Sequence, residues 1–254
     1  MAVPIAVLGG LIGLGGAEFR LPVLVGPLGY PARRAVPLKL AVSLATIAAS
    51  LAMRSRSLPL APVEPFVPSV LGLIIGAVLA AVAGTALIGR LTDERLERTI
   101  LGLLLVIGAA LIAEGFLPQD VQGLLPESAP VRVAAGVLFG LGIGLVSSLL
   151  GVAGGEVIIP TFVFAYGADV KTAGTAGLLV SLPTVAVGIA RHARRGCHDR
   201  AALAGTVVPM GLGSIVGAVV GGLLVGSVSA AVLKVGLGVV LIASAARIFA
   251  GHRR

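Results

Sequence analysis

Two acidic side chains sit in apolar surroundings behind matching clusters of small residues. Glu18 follows Gly13-Leu14-Gly15-Gly16-Ala17, and Glu156 follows Gly151-Val152-Ala153-Gly154-Gly155. Both stretches read G-x-x-G-x-E-x-x-x-P and close on Pro22 and Pro160. Glycine reaches positive φ without steric cost and proline cannot continue a helix without losing a hydrogen bond, so helices break at such places. A break exposes free N–H groups and the positive end of a helix dipole, which suits an anion. Two roles compete for the carboxylates. Burial favours the protonated carboxyl, so Glu18 and Glu156 can load and release a proton during a transport cycle. Alternatively, each caps the half-helix that it begins. An ionised Glu beside the break repels an anion, which requires a protonated Glu or an anion site displaced from it.

Other polar residues gather around this pattern. Arg20, with Ile158 in the matching place, can pair with a Glu, contact an anion or snorkel to the interface. Ser43 with Thr46, and Ser181 with Thr184, are either hydroxyl donors to a substrate or hydrogen bonds between helices. Lys39, one turn before Ser43, either adds positive potential to a cavity or sits at the membrane face. The candidate substrate-binding residues are therefore Gly13, Gly15, Gly16, Ala17, Glu18, Arg20, Ser43 and Thr46 in one place. In the other they are Gly151, Ala153, Gly154, Gly155, Glu156, Ser181 and Thr184. Cys197, His192 and His198 share a basic stretch, but one cysteine without ligand spacing makes neither a metal site nor a dithiol relay. No cofactor signature or nucleophile–base pair points to an enzyme.

The elements that position these residues follow from composition. Of 254 residues, 57% are hydrophobic and 12% charged, with a mean hydropathy of +1.09. A soluble domain carries about 25% charge, so this is an integral membrane protein. Its net charge of +8 does not make it a nucleic-acid binder. Long unbroken apolar runs argue against a β-barrel. The chain reads as an all-α polytopic membrane protein with eight segments, at 1–27, 35–53, 64–89, 96–115, 130–166, 170–191, 203–225 and 229–250. No basic stretch precedes the first apolar run, so no cleavable leader is expected. As one helix, residues 131–166 would be about 54 Å long against a hydrocarbon thickness of about 30 Å. That segment must break, bend back or protrude, and its glycine cluster is the breaking point.

Shifted by 138 positions, the sequence matches itself. Beyond the glycine clusters, Val42-Ser43-Leu44 lies over Val180-Ser181-Leu182, and Thr46 over Thr184. After a three-residue adjustment Pro68, Gly72 and Gly76 lie over Pro209, Gly213 and Gly217. Two repeats of four segments result, 1–115 and 131–254, joined by 116–130. The first and fifth segments are the broken ones. Two broken segments in matching halves point to a transport site near the midplane. Small residues at every fourth position, Gly72-Gly76-Ala80-Gly84, Gly136-Gly140-Gly144-Ser148 and Gly213-Gly217-Gly221, are packing stripes. All can be used within one chain, so they fix no oligomeric state. Placing the basic stretches at Arg54–Arg56, Arg191–Arg200 and the C-terminal Arg247, Arg253 and Arg254 in the cytoplasm gives N-in and C-in. Both halves then share one orientation, with four crossings each, in the inner (cytoplasmic) membrane.

The duplicated glycine cluster followed by an apolar stretch and proline resembles the signature of the TauE/SafE family of sulfite and organosulfonate exporters. The resemblance rests on Gly13, Gly15, Gly16 and Pro22, and on Gly151, Gly154, Gly155 and Pro160, and the four-plus-four arrangement extends it to nearly the whole chain. Ala17 and Ala153 stand where a third glycine is usual, and Glu18 and Glu156 where many members have an apolar or small residue. The resemblance implies a secondary transporter of a small anion, sulfite or another sulfur oxyanion or organosulfonate. It would work by alternating access between the halves, with lipid as its surroundings and protons or another ion as coupling partner. An anion channel, or a carrier of a non-sulfur organic anion, is the alternative reading.

Overall fold

The computed structural model describes residues 32–87, 123–150, 154–194 and 203–229, with scattered positions at 6–7, 10–11, 13, 24, 105, 109, 112, 231–232, 235–236, 238–239 and 242. Six helices lie among them: α1 Ala32–Ser57, α2 Val67–Leu87, α3 Ala129–Leu150, α4 Gly155–Pro160, α5 Val170–Arg194 and α6 Val208–Leu224. Four stretches are long and apolar enough to cross a membrane: Leu38–Ser57, Ala61–Ala81, Val170–Arg191 and Gly205–Leu224. Segments expected near 1–27, 96–115 and 229–250 lie mostly outside the described residues.

The helix starts follow local chemistry. Pro68 and Pro209 are the second residues of α2 and α6, where a missing N–H costs nothing because that donor has no helical partner. Asp169 starts α5: its Oδ1 accepts from the amides of Lys171 at 2.9 Å and Thr172 at 3.2 Å, filling donors that a helix leaves open. The starts of α1 and α5 are 138 residues apart, and those of α2 and α6 are 141 apart.

The stretch expected to break or bend back does both. Between Leu150 and Gly155 the helix stops, and Gly154 adopts φ 76°, the left-handed region that side chains with a Cβ avoid. The chain then returns along α3. Gly154 lies against Ile143 and Ser147 near the end of α3. At the other end the Tyr166 hydroxyl donates to the Arg132 carbonyl at 3.0 Å, and the amides of Leu124 and Leu125 donate to Phe164 and Ala165. Pro160 has no N–H to continue an α-helix, and the chain goes on as a π-helical turn over Thr161–Ala165. Residues 129–166 therefore form a hairpin that enters and leaves at one end of the bundle.

That hairpin corrects the orientation expected from the basic stretches. Leu40, near the start of α1, packs beside Gly188, late in α5. Arg54, near the end of α1, bonds the carbonyl of Lys171 and the hydroxyl of Thr175, early in α5. The two helices run antiparallel, not in the shared direction expected. Arg54–Ser57 and Arg191–Arg194 consequently lie at opposite ends, called here the Arg54 end and the Arg191 end. A hairpin adds no crossing, so counting 130–166 as a crossing inverted everything after it.

Packing follows the glycine stripes. Gly72 and Gly76 of α2 face Gly136 and Gly140 of α3, and Gly144 faces Ala77 and Ala80. A methyl on Gly72 would stand 2.6 Å from the Val133 carbonyl oxygen, and one on Gly76 would overlap that of Val137. Without a hydrophobic drive between helices in lipid, such backbone approach supplies the contact. The third stripe serves a different neighbour: Gly221 of α6 packs on Val7 and Gly10 of the first segment. Leu40, Ile47, Leu178 and Val185 form the seam between α1 and α5, with Leu44 and Leu182 on it.

Candidate functional site

α1 carries a line of buried polar side chains. Lys39 is 1% exposed, and Ser43, Thr46, Ser50 and Arg54 are fully buried. Their spacing of three or four residues puts them on one helix face. Of the two places open to Lys39, the structure selects the protein interior over the membrane surface. On α5, Thr172, Thr175, Ser181 and Thr184 are buried as well. Polar groups inside a membrane-spanning helix are costly and mark functional surfaces by default.

Thr46 and Thr184 behave alike. Each donates its hydroxyl hydrogen to the carbonyl four residues back, Val42 at 2.9 Å and Val180 at 2.8 Å. Such back-bonding spends the donor within the helix. Ser43 and Ser181 are buried and hydrogen-bonded or otherwise engaged. The Ser50 hydroxyl is buried and finds no hydrogen-bond partner among the described residues.

Gly13 and α4 both reach α5. Gly13 adopts φ 88° and presses against the backbone of Gly174. One turn further along α5, a Cβ placed on Gly177 would lie 3.9 Å from the Gly13 carbonyl oxygen and 3.3 Å from Cγ1 of Ile159 in α4. Gly13 and α4 thus flank the same stretch of α5, one turn before Ser181. Gly154 and Gly155 are buried at the start of α4, and the backbone of Glu156 lies in its first turn. Gly15, Gly16, Ala17, Glu18, Arg20, Gly151 and Ala153 lie outside the described residues.

Arg54 is the residue that basic-stretch reasoning misplaced. It belongs to the last turn of α1, and its guanidinium is wholly enclosed. Nε donates to the Gly10 carbonyl at 3.2 Å, and one terminal nitrogen donates to that of Leu11 at 2.7 Å. The other donates to the Lys171 carbonyl at 3.0 Å and to Thr175 Oγ1 at 3.1 Å. No carboxylate among the described residues reaches it. The available signal was spacing: Arg54 continues the series 39, 43, 46, 50 on one face.

A cleft of about 770 Å³ opens at the Arg54 end, lined by Phe66, Leu125, Arg132 and Tyr166 among others. Arg132 lies over the Phe66 ring, 5.9 Å from its centroid. The cleft shares no residue with the candidate substrate-binding set.

The family model described as "Sulfite exporter TauE/SafE" matches residues 1–111 and 136–254. No curated protein matches the chain. No solved structure matches it either.

Proposed function

The chain belongs to the TauE/SafE sulfite exporter family, and on that premise we propose that it is a secondary carrier of a small anion, sulfite or another sulfur oxyanion or organosulfonate. The observation that carries this reading is the meeting of Gly13 and α4 on one stretch of α5, beside the buried polar face of α1. Irregular backbone at membrane depth is tolerated where it lines a cavity or is buried in protein. Broken segments in corresponding places are the usual builders of a carrier site. The buried cations Lys39 and Arg54 supply positive potential, and the Ser50 hydroxyl, which finds no hydrogen-bond partner among the described residues, supplies a donor.

The carrier works by alternating access between two halves of inverted topology, 1–115 and 131–254 joined by 116–130. The recurring offsets of 138 and 141 between helix starts, and the antiparallel course of α1 and α5, support this. Packing supports it too: Ala218 and Gly221, 141 positions after Ala77 and Ala80, receive Gly10 of the first segment, while Ala77 and Ala80 receive Gly144 of α3. Arg33, Arg34, Arg191 and Arg194 belong to helix ends at the Arg191 end, and Arg195 and Arg200 come next in the sequence. The positive-inside rule puts that end in the cytoplasm. If the first segment is also a hairpin, the N-terminus lies there too, and a last crossing segment brings the C-terminus back to it. Glu18 and Glu156 are the proposed proton sites.

The test is an anion panel on purified protein in proteoliposomes at two internal pH values, with sulfite, sulfate, thiosulfate, sulfoacetate and lactate. Saturable uptake selective for one sulfur anion and steepened by a proton gradient is the expected result. Uptake equal to that of protein-free vesicles for every anion removes the reading. Flux faster than a carrier cycle, indifferent to counter-substrate, replaces it with a channel.

A further inference from the structure

We propose that Arg54 is a positioning residue for transport, a one-sided latch that closes the Arg54 end of the site and must release for that end to open; the role in transport rests on the carrier reading above. The four acceptors of its guanidinium come from two separate bodies. Gly10 and Leu11 belong to the first segment, just before its break at Gly13, while Lys171 and Thr175 open α5. Gly10 and Leu11 are helical residues two to three positions before Gly13, and carbonyls at the C-terminal end of a helical turn are what a cation satisfies. The same guanidinium therefore caps that turn and ties it to the other repeat. The tie lies beside the backbone contact of Gly13 with Gly174, one of the close approaches between the two halves.

Two features suit a contact that opens rather than a permanent staple. Its hydrogen-bond acceptors are all neutral and Asp169, which attracts it through space, is exposed, so release leaves no buried carboxylate unpaired among the described residues. The Ser50 hydroxyl, one turn earlier on the same face, is buried without a hydrogen-bond partner among the described residues; a native orphan of this kind calls for an explanation, and a second arrangement of Arg54 that engages it provides one. The latch is one-sided in sequence. At the 138-residue offset, His192 stands for Arg54 and Pro37, which has no hydroxyl, for Thr175.

Hydrogen–deuterium exchange on the full-length protein in nanodiscs tests the contact, and sided transport tests its role. Thr175→Val removes one acceptor of the four and leaves the charge in place; Arg54→Gln removes the latch outright. In Thr175→Val, peptides covering 6–13 and 170–176 are expected to exchange about tenfold faster, together, as loss of one hydrogen bond to a charged group implies. Peptides of the α2–α3 pair should not change. Unchanged exchange at 6–13, or a rise spread over the whole protein, overturns the latch. In proteoliposomes of fixed orientation, weakening the latch populates the state open at the Arg54 end. The apparent KM for sulfite offered there should fall, and that for sulfite offered at the Arg191 end should rise. An equal loss from both sides makes Arg54 a structural staple and sinks the proposal. If the unmodified protein carries no anion, the carrier reading fails, and the latch stands or falls on the exchange data alone.

Discussion

Arg54 shows how a charge can be kept inside a membrane protein on neutral hydrogen-bond acceptors, with Asp169 acting on it only through space. Burying an ion costs several kcal/mol after relaxation, and each hydrogen bond to a charged group returns about 1.5–3 kcal/mol. Four bonds make the arrangement tenable, three of them to backbone carbonyls, which substitution at Gly10, Leu11 or Lys171 does not remove. That residue was the least legible from sequence. The basic pair Arg54 and Arg56 looks like a loop, and the structure, not the sequence reading, places Arg54 inside, on the face spaced from Lys39. Gly154 was legible, because a duplicated glycine cluster before a proline has few uses other than a break. Gly154→Ala forces a Cβ into φ 76°, and is expected to cost about 1–2 kcal/mol, read as a lowered Tm of the purified protein. The carboxylates give a chemical prediction at the same scale. Glu156→Gln and Glu18→Gln should each retain sulfite uptake driven by its own gradient while losing the acceleration by a proton gradient. Retention of that acceleration in both variants would make these residues helix caps.

At the scale of elements, α2 and α3 are held by backbone approach, so their contact has no room for larger residues. Gly76→Val is expected to destabilise by more than about 3 kcal/mol, since overpacking alone costs about 1–3 kcal/mol and here the neighbour is a carbonyl oxygen, not a yielding side chain. Loss of a monodisperse peak in size-exclusion chromatography is the readout. Gly142 has open space around it, and Gly142→Ala should elute like the unmodified protein. The stripe at Gly136, Gly140 and Gly144 was readable as packing, because period four on a helix makes one face. Its partner was not readable, since three stripes compete for each other and sequence does not say that the third serves the first segment. Thr46 and Thr184 illustrate the same limit: their types and registers were evident, but the choice of a carbonyl on their own helix depends on what stands opposite.

For the whole molecule, orientation turns on whether a broken segment crosses the membrane. Length alone showed that residues 131–166 exceed one span; only the contacts of Tyr166 with Arg132 showed the return. A single crossing more or fewer reverses every later helix, so parity was the weakest inference from the sequence while the class and the family resemblance were the strongest. Thiol labelling checks it. In a Cys197→Ser background, Arg56→Cys and Ala193→Cys, both exposed positions, should react with a membrane-impermeant maleimide from opposite sides. Labelling of both from one side would restore the shared orientation.

The seam between α1 and α5 carries a mechanical consequence. Leu44 and Leu182 stand near the middle of two antiparallel rods, so the seam acts as a fulcrum. From Leu44 to Ser57 the lever arm is about 20 Å, at 1.5 Å per residue. A tilt of about 10° then moves the rod's tip by about 3.5 Å, more than the length of any hydrogen bond that Arg54 makes. The far tip moves the opposite way by a similar distance, so parting the helices at one end presses them together at the other without any helix having to bend.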